Sequence, residues 1–215
     1  CHLSTAGSVD VVRWAKARCI ADTAEVTPHH LLLTEELARS YDARFKVNPP
    51  LRRDEDVFAL RAALADGTID IVATDHAPHP IEAKECTWAE AAFGMVGLES
   101  AVSVVQHAMV DTGLLSWADI ARVMSSAPAL IGRLEGYENP LEIGSVANIT
   151  LVDPAFSRSW SVSDLRGRST NSPYVGQQLP GRVVATVHRG VVTVDGGELI
   201  DADVVAADHE EVARG

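Results

Sequence analysis

Several features that mark other protein classes are scarce in this sequence of 215 residues. Only three cysteines occur, Cys1, Cys19 and Cys86, and no C-x-x-C pair is among them, so we expect reduced thiols in a cytoplasmic protein. The 18 basic residues are outnumbered by 30 acidic ones, and the net charge of −12 disfavours nucleic acid and anionic membranes as partners. Neither an apolar run long enough to span a membrane nor a signal-peptide pattern is present.

Apolar residues are well represented, and their spacing indicates alternating helices and strands. The hydrophobic content of 47% is enough for the core of one domain of ordinary size. Helical spacing occurs at 8–17, 34–39, 54–66, 98–110 and 117–125, and strand-like runs occur at 20–26 and 69–73. Thr34, Asp54 and Ser116 are the expected N-caps, and Gly67 is the expected stop of the third helix. This alternation predicts an α/β fold with a parallel sheet and helices outside it.

The pattern changes near Pro140. Short apolar segments separated by turns at Gly144, Gly190 and Gly196 follow, without helical spacing. We therefore expect a small β-rich domain of antiparallel strands over residues 139–200, after a first region over residues 1–138. The acidic segment 201–215 is expected to be a solvated tail.

One strand end carries an unusual concentration of polar groups. In "IDIVATDHAPHP", residues 69–80, an apolar run ends in Asp75, His76 and His79. Because the C-terminal ends of parallel strands face one rim of such a fold, Asp75 should meet residues 27–30 and His2 there. A carboxylate and neutral imidazoles suit Zn²⁺ and can transfer protons in metal-assisted hydrolysis. From the residues alone, an Asp after a strand is more often a turn or helix-cap residue.

Five phrases in this order narrow the interpretation: "HLSTAGSV", "EVTPHHLLL", "FKVNPPLR", "ATDHAPH" and "FGMVGLE". Together they resemble the second half of the dihydroorotases of the longer bacterial type, in the amidohydrolase superfamily, over residues 1 to about 195. Hydantoinases, dihydropyrimidinases and allantoinases are similar but usually differ within "NPPLR" and "TDHAPH". The resemblance implies the C-terminal part of a (β/α)8 barrel of TIM type, strands 6 to 8, with a small β-rich appended domain.

The resemblance also implies residue roles. His2 and Asp75 match metal ligands, and Asp75 also matches the acid–base residue that moves a proton to the leaving nitrogen. Asn48 and His79 match residues that hold the pyrimidine ring and its carboxylate. Two zinc ions are implied, with further ligands from residues upstream of Cys1.

The implied activity is the reversible interconversion of dihydroorotate and N-carbamoyl-aspartate in pyrimidine biosynthesis. The implied partners are the missing N-terminal half of the same barrel, a second copy in a homodimer, and an aspartate carbamoyltransferase. We expect residues 1–215 alone to be inactive, with an open edge at residue 1. Two alternatives stay open: a hydantoinase-like or dihydropyrimidinase-like hydrolase of other cyclic ureides, and a catalytically inactive scaffold subunit.

Other polar residues have simpler interpretations. His29 and His30 are expected to be structural rather than metal ligands, and His76 is expected to support its loop through hydrogen bonds. Asn48 could be only a turn residue, because Asn is common before proline in turns. The segment 80–94 is expected to form a loop over the pocket, with Lys84 and Glu85 solvated.

Overall fold

The computed structural model describes residues 1–137 and 141–201. At its centre, three short segments run side by side. Strands β1 (Glu25–Val26) and β2 (Ile71–Val72) pair in parallel, with Glu25 opposite Ile71 and Val26 opposite Val72. The start of the chain lies on the other side of β1, where the Leu3 N–H donates to the Glu25 carbonyl at 2.9 Å. Segments that are consecutive in the sequence are therefore neighbours in space.

Helices connect these segments and flank them. They are α1 (Ala6–Lys16), α2 (Asp54–Ala65), α3 (Ala101–Val105), α4 (Trp117–Ala121) and α5 (Ala127–Gly132), with π-type turns at Gln106–Val110 after α3 and Arg122–Ser126 after α4. Short 3₁₀ turns lie at His29–Leu31, Glu35–Ser40, Ala43–Phe45, Ile81–Ala83 and Val162–Asp164. Within the described residues, no helix has the length and apolar character needed to cross a membrane.

The residues at the helix N-termini confirm one of the predicted N-caps and correct another. Ser116 caps α4 as expected, in a reciprocal pair with Asp119. The prediction for Asp54 was wrong: Arg53 holds the N-cap position, and Asp54 is the first helical residue, where its charge favours the helix dipole. Thr34 precedes a 3₁₀ turn, but its side chain makes no capping hydrogen bond.

The first predicted strand, 20–26, was too long. Only Glu25 and Val26 form strand β1. Just before it, the Ala24 N–H donates to the Asp70 side chain at 2.7 Å. The Ala24 N–H therefore binds a carboxylate, while the Ala24 carbonyl still accepts from the Asp70 N–H at 2.9 Å, and residues 20–24 lie outside the strand.

A buried apolar core lies between the parallel pair and the helices. Val26 of β1 and Val72 of β2 face Val9 of α1, Leu60 of α2 and Ile120 of α4 within one cluster. Leu60 is fully buried, as are Leu64 and Ile69 beside it. This strand-and-helix layering confirms the predicted α/β class.

The later part of the chain forms one antiparallel sheet. Its strands are β3 (Ile149–Ser159), β4 (Gln178–His188), β5 (Val191–Asp195) and β6 (Glu198–Leu199), paired in that order. Strand β3 contains no buried residue, whereas β4 buries Leu179 and Gly181. The predicted boundary at 138/139 and the predicted tail after Asp201 lie outside the described residues, so the division into domains stays a prediction.

The sheet and the first region share a second core. Leu33, Val47, Met95 and Val104 of the first region pack with residues of the later region, namely Trp160, Tyr174 and Leu179. Hydrogen bonds join the same surfaces: Ser103 Oγ donates to the Gly181 carbonyl at 3.2 Å, and Gln106 Nε2 donates to the Pro154 carbonyl at 2.9 Å. The later region is therefore packed directly on α3 and on the loops around the candidate site.

Candidate active site at the strand ends

His2 and Asp75 meet as the sequence predicted. His2 lies at the start of the chain on one side of β1, Asp75 follows β2 on the other side of β1, and His2 Nε2 lies 3.5 Å from Asp75 Oδ1. Glu25 of β1 lies against the other side of the imidazole, with Oε1 2.8 Å from His2 Nδ1. The angle at Nδ1 is not that of a hydrogen bond, but the His2 backbone N–H donates to the same oxygen at 3.2 Å. Glu25 thus holds His2 from the side opposite Asp75.

Both His2 and Asp75 have an unusual backbone conformation. Their φ angles are 51° and 48°, in the left-handed region that residues with a Cβ rarely occupy. Such a conformation costs roughly 1–3 kcal/mol per residue, and residues that retain it are concentrated at functional sites. At His2, the contact of Glu25 with the backbone N–H lies directly beside this conformation.

The pair fits one part of a zinc site. With Zn–N and Zn–O bonds of about 2.1 Å and tetrahedral angles, two ligands of one zinc lie roughly 3.4 Å apart. The separation of 3.5 Å between Nε2 of His2 and Oδ1 of Asp75 is compatible with that value. Within residues 1–137 and 141–201, no group of three or more His, Cys, Asp or Glu side chains is arranged to hold a metal ion. The assignment of His2 and Asp75 as ligands stays a prediction.

The surroundings of Asp75 favour its protonated form. Partial burial raises the pKa of Asp75 above its ordinary value of 3.8, and the charge of Glu25 raises it further, while His2 opposes the shift. A raised pKa brings a carboxyl group closer to the range in which it can both accept and donate a proton. The acid–base role of Asp75 stays a prediction.

His29 and His30 are buried and are held neutral by that burial. Desolvation lowers the pKa of His29 well below 6.5 and lowers the pKa of His30 to about 4. The carbonyl of Pro49, 3.1 Å from His30 Nε2, can only accept, so Nε2 carries the proton and Nδ1 accepts from the Thr27 hydroxyl at 2.7 Å. With both nitrogens occupied, His30 connects β1 to the loop of Asn48, which is the structural role expected for it.

The predicted substrate residues lie on loops around this pair. Asn48 is exposed, between the buried Val47 and a cis peptide bond to Pro49. His79 is partly buried, and its Nε2 lies 2.8 Å from the Phe93 carbonyl. Among the described residues, neither side chain hydrogen-bonds to His2 or Asp75. Their roles in substrate binding therefore stay predictions.

The loop after Asp75 is fixed by its own histidine. His76 Nδ1 accepts from the N–H groups of Gly97 at 3.1 Å and Leu98 at 3.3 Å. His76 also forms a parallel bridge with Met95. The expected loop-supporting role of His76 is confirmed.

The prediction of a solvated Lys84 was wrong. Its side chain is buried, and Nζ donates to the carbonyls of Ala43 at 2.9 Å and Ala92 at 2.7 Å. The buried Lys46 adds hydrogen bonds from Nζ to Trp88 at 2.6 Å and Ala89 at 3.1 Å. Two ammonium groups thus bind backbone carbonyls of the segment 80–94 and fasten it to residues 43–46. A chain of loop carbonyls with no secondary structure needs such donors, and this need explains why two lysines are buried here.

Sequence reasoning missed Glu25, Lys46 and Asn171. Glu25 is an acidic residue within a short apolar strand, and this was a usable signal. Asn171 lies far along the chain, yet the His79 N–H lies 3.3 Å from its Oδ1. No local pattern in "STNSPY" indicates that contact.

Comparison with known proteins identifies the family of this chain. Residues 2–193 match the model of the amidohydrolase family. The dihydroorotase of Leifsonia xyli subsp. xyli is 68% identical over 202 residues, covering 94% of this chain and 46% of that protein. The dihydroorotase of Mycobacterium tuberculosis is 53% identical over 201 residues, covering 93% of this chain and 46% of that protein. The chain spans about half the length of the curated relatives it matches.

A solved structure shows the same fold. The L-hydantoinase (dihydropyrimidinase) of Arthrobacter aurescens superposes with a TM-score of 0.86 at 30% identity, covering 93% of this chain and 45% of that one. Together with the family match, this likeness indicates the TIM-barrel fold of amidohydrolases. The strand order and the convergence of His2 with Asp75 agree with that fold.

Proposed function

The chain belongs to the amidohydrolase family, and from this premise we propose that its protein is a zinc-dependent dihydroorotase. It would interconvert dihydroorotate and N-carbamoyl-aspartate in pyrimidine biosynthesis, in the cytoplasm. The observation that carries a hydrolytic site is the approach of His2 to Asp75 within 3.5 Å, from segments on the two sides of β1. The substrate is supported by the 68% identical relative, which is named a dihydroorotase.

The proposal includes an assignment of the fold. Residues 1–3, β1 and β2 would be the ends of barrel strands 6 to 8, and residues 139–200 would form a small β-rich domain beside the barrel. The helices α1 and α2, which connect consecutive parallel segments, support the barrel assignment.

His2 and Asp75 would contribute to holding the zinc. When bound, it would polarise the ring amide carbonyl and lower the pKa of water to about 7. Because catalytic zinc normally has three protein ligands, and we propose two zinc ions, the other ligands would come from outside the described residues.

Asp75 would move the proton that ring opening requires. As a carboxylate it takes a proton from the attacking water, and as an acid it gives that proton to the ring nitrogen that leaves the carbonyl carbon. In the reverse direction, the same residue would assist ring closure of N-carbamoyl-aspartate.

Asn48 and His79 would orient the substrate. The contact of His79 Nε2 with the Phe93 carbonyl requires a proton on Nε2, since a carbonyl can only accept. Nδ1 is then left for the substrate: it accepts a ring N–H when the imidazole is neutral and donates to a carboxylate when it is protonated. Asn48, exposed on its loop, offers both a donor and an acceptor.

A second candidate function is the hydrolysis of other cyclic ureides. It is favoured by the fold likeness to the L-hydantoinase (dihydropyrimidinase) of Arthrobacter aurescens. A catalytically inactive scaffold subunit is a third, in which His2 and Asp75 would have no reaction to support. A homodimer and an association with aspartate carbamoyltransferase remain proposals that accompany the dihydroorotase assignment.

The test uses a fusion of the upstream half of the Leifsonia xyli relative with this chain, because the chain covers 46% of that protein. Ring opening of dihydroorotate, hydantoin and dihydrouracil is measured with zinc, and the intact relative is assayed in parallel. We expect dihydroorotate to be the preferred substrate, with zinc bound. A fusion that prefers hydantoin or dihydrouracil supports the second candidate, and a folded fusion without turnover on any of the three supports the scaffold.

A further inference from the structure

Asn171, in the segment between β3 and β4, contacts the loop that carries His79. It is buried, and its Nδ2 group donates to the carbonyls of Ala77 at 3.0 Å and Gly94 at 3.3 Å. Its Oδ1 accepts from the backbone N–H of His79 at 3.3 Å. The Asn171 backbone carbonyl accepts from the Val96 N–H at 3.2 Å. One residue therefore binds the loop at four points.

These contacts join the two arms of the loop next to His79. Ala77 lies on the outgoing arm and Gly94 on the returning arm, and the Ala77 N–H donates to the Met95 carbonyl at 3.0 Å. Phe93, directly before Gly94, supplies the carbonyl that binds the His79 ring. Asn171 thus fixes both the backbone of His79 and the segment that orients its imidazole.

The close approach of the two arms shows that their spacing is constrained. A Cβ on Gly94 would lie 2.5 Å from the Ala77 Cβ and 3.1 Å from His79 Nε2, and the φ of Gly94 is +124°. Such a spacing admits no side chain at this position. The amide of Asn171 spans the two arms at this point, so it sets a separation on which the ring position depends.

Asn171 and His79 also line one pocket. Its volume is about 220 Å³, and Arg44, Lys84 and Thr170 contribute to its wall. His2, Asp75 and Asn48 do not line this pocket, so it shows only that the segment around Asn171 lies beside His79.

We propose that Asn171 is a positioning residue for His79: its amide holds the two arms of the loop at the separation that aims the imidazole at the substrate. The later region of the chain, which offers no reacting group, would in this way determine how tightly the substrate binds. The identity of the substrate in this inference rests on the proposed function. The contacts of Asn171 do not depend on it.

The test is a double-mutant cycle in the fusion. Asn171→Ser keeps one donor and removes the bridging amide, and His79→Gln removes the imidazole. If Asn171 acts through His79, Asn171→Ser raises KM for dihydroorotate about tenfold with little change in kcat, and the double variant has the KM of His79→Gln alone. The proposal would be overturned if the two substitutions raised KM independently, so that their effects multiplied in the double variant. It would also be overturned if Asn171→Ser lowered only kcat.

A matched control separates positioning from stability. Gln177 lies in the same segment, and its amide donates to Pro173 at 2.9 Å, within the segment itself. Gln177→Ala should leave KM unchanged even where it lowers Tm. An equal rise of KM in both variants would show a general effect of the segment and would contradict a specific role for Asn171.

A spectroscopic measurement keeps the result independent of the substrate. The imidazole NMR signals of His79, assigned by their loss in His79→Gln, should shift in Asn171→Ser and stay in place in Gln177→Ala. Unshifted signals would reject the positioning role. If the fusion does not hydrolyse dihydroorotate, the proposed function fails while this measurement still decides the role of Asn171.

Discussion

The parallel pair β1–β2 and the antiparallel sheet β3–β6 serve the candidate site in different ways. The parallel pair has two residues per strand, yet its ends carry Glu25 and lead to Asp75. The sheet has strands of up to 11 residues, and β3 buries none of its side chains. The shorter element leads to Asp75, a residue predicted to react, and the longer one presents none of the residues predicted to react or to bind metal.

The difference shows how a site can depend on residues that do no chemistry. The later region contacts the loops beside the candidate site through the side-chain amide of Asn171 and through the apolar core around Leu179. Reacting groups need the shared rim of parallel strands, whereas the loops that hold substrate need donors for their carbonyls. Those donors can come from any part of the chain that packs nearby.

The largest effect expected from this comparison is the loss of activity in Asp75→Asn. Asn is nearly isosteric but cannot cycle a proton, so turnover of the fusion should fall roughly 10²- to 10⁴-fold. Steady-state kinetics, with zinc content and Tm measured on the same preparation, check this outcome. Asp153→Asn in the later region, where the carboxylate only accepts the Ala155 N–H, is the control and should keep full activity. Unchanged turnover in Asp75→Asn would rule out the proton transfer.

The second prediction concerns the core that the two regions share. Leu179→Ala should lower the free energy of unfolding by about 2–5 kcal/mol, because a buried leucine is replaced by a cavity. Leu151→Ala on β3, where the leucine is 55% exposed, is the matched control and should change it by only about 0.5 kcal/mol. Urea denaturation followed by far-UV circular dichroism and by tryptophan fluorescence should give one transition. Two separate transitions, with the first region unaffected by Leu179→Ala, would show independent domains instead.

The sequence was informative where function depends on the order of helices and strands along the chain. The alternation of helices and strands indicated a parallel arrangement, and strand ends placed His2 and Asp75 on one rim. Both conclusions follow from periodicity and from the geometry of parallel sheets. Resemblance to dihydroorotases then pointed to particular roles for His2, Asn48, Asp75 and His79, which remain predictions.

The sequence was uninformative where function depends on hydrogen bonds between polar groups that are far apart in the chain. Lys84 looked solvated because lysine is rarely buried, and only the fold reveals that the carbonyls of Ala43 and Ala92 surround its ammonium group. Asn171 is 92 residues from His79 in the chain. Contacts of this kind leave no periodic pattern, so neither residue could be found from spacing.

The third prediction separates substrate binding from metal binding in the first region. His79→Gln should raise KM for dihydroorotate roughly ten- to a hundredfold, the effect of losing a hydrogen bond to a charged group. Zinc content should be unchanged, because the His79 ring contacts the Phe93 carbonyl and makes no hydrogen bond to His2 or Asp75 within the described residues. Metal analysis and kinetics on one sample decide the matter. Loss of zinc in proportion to activity would make His79 a ligand and contradict its placement on the substrate side.

The smallest expected effect is a change of stability with pH caused by Lys84, which fastens the loop within the first region. Burial, reinforced by the charge of Lys46, lowers the pKa of Lys84 from 10.5 to about 8. Between these two values the unfolded chain holds a proton that the folded chain has lost, so unfolding takes up a proton there. The free energy of unfolding of the parent should therefore rise, relative to Lys84→Met, as the pH increases from about 8 to 10.5. It should not change relative to that variant at lower pH, where both the folded and the unfolded state keep the proton.

Lys84→Arg is the matched control. A guanidinium stays charged throughout this pH range, so this variant should show no such rise in the free energy of unfolding. Urea midpoints measured at intervals of pH test the sign, and a difference that falls with pH would mean that the ammonium group is stabilised, not strained, by its burial among carbonyls.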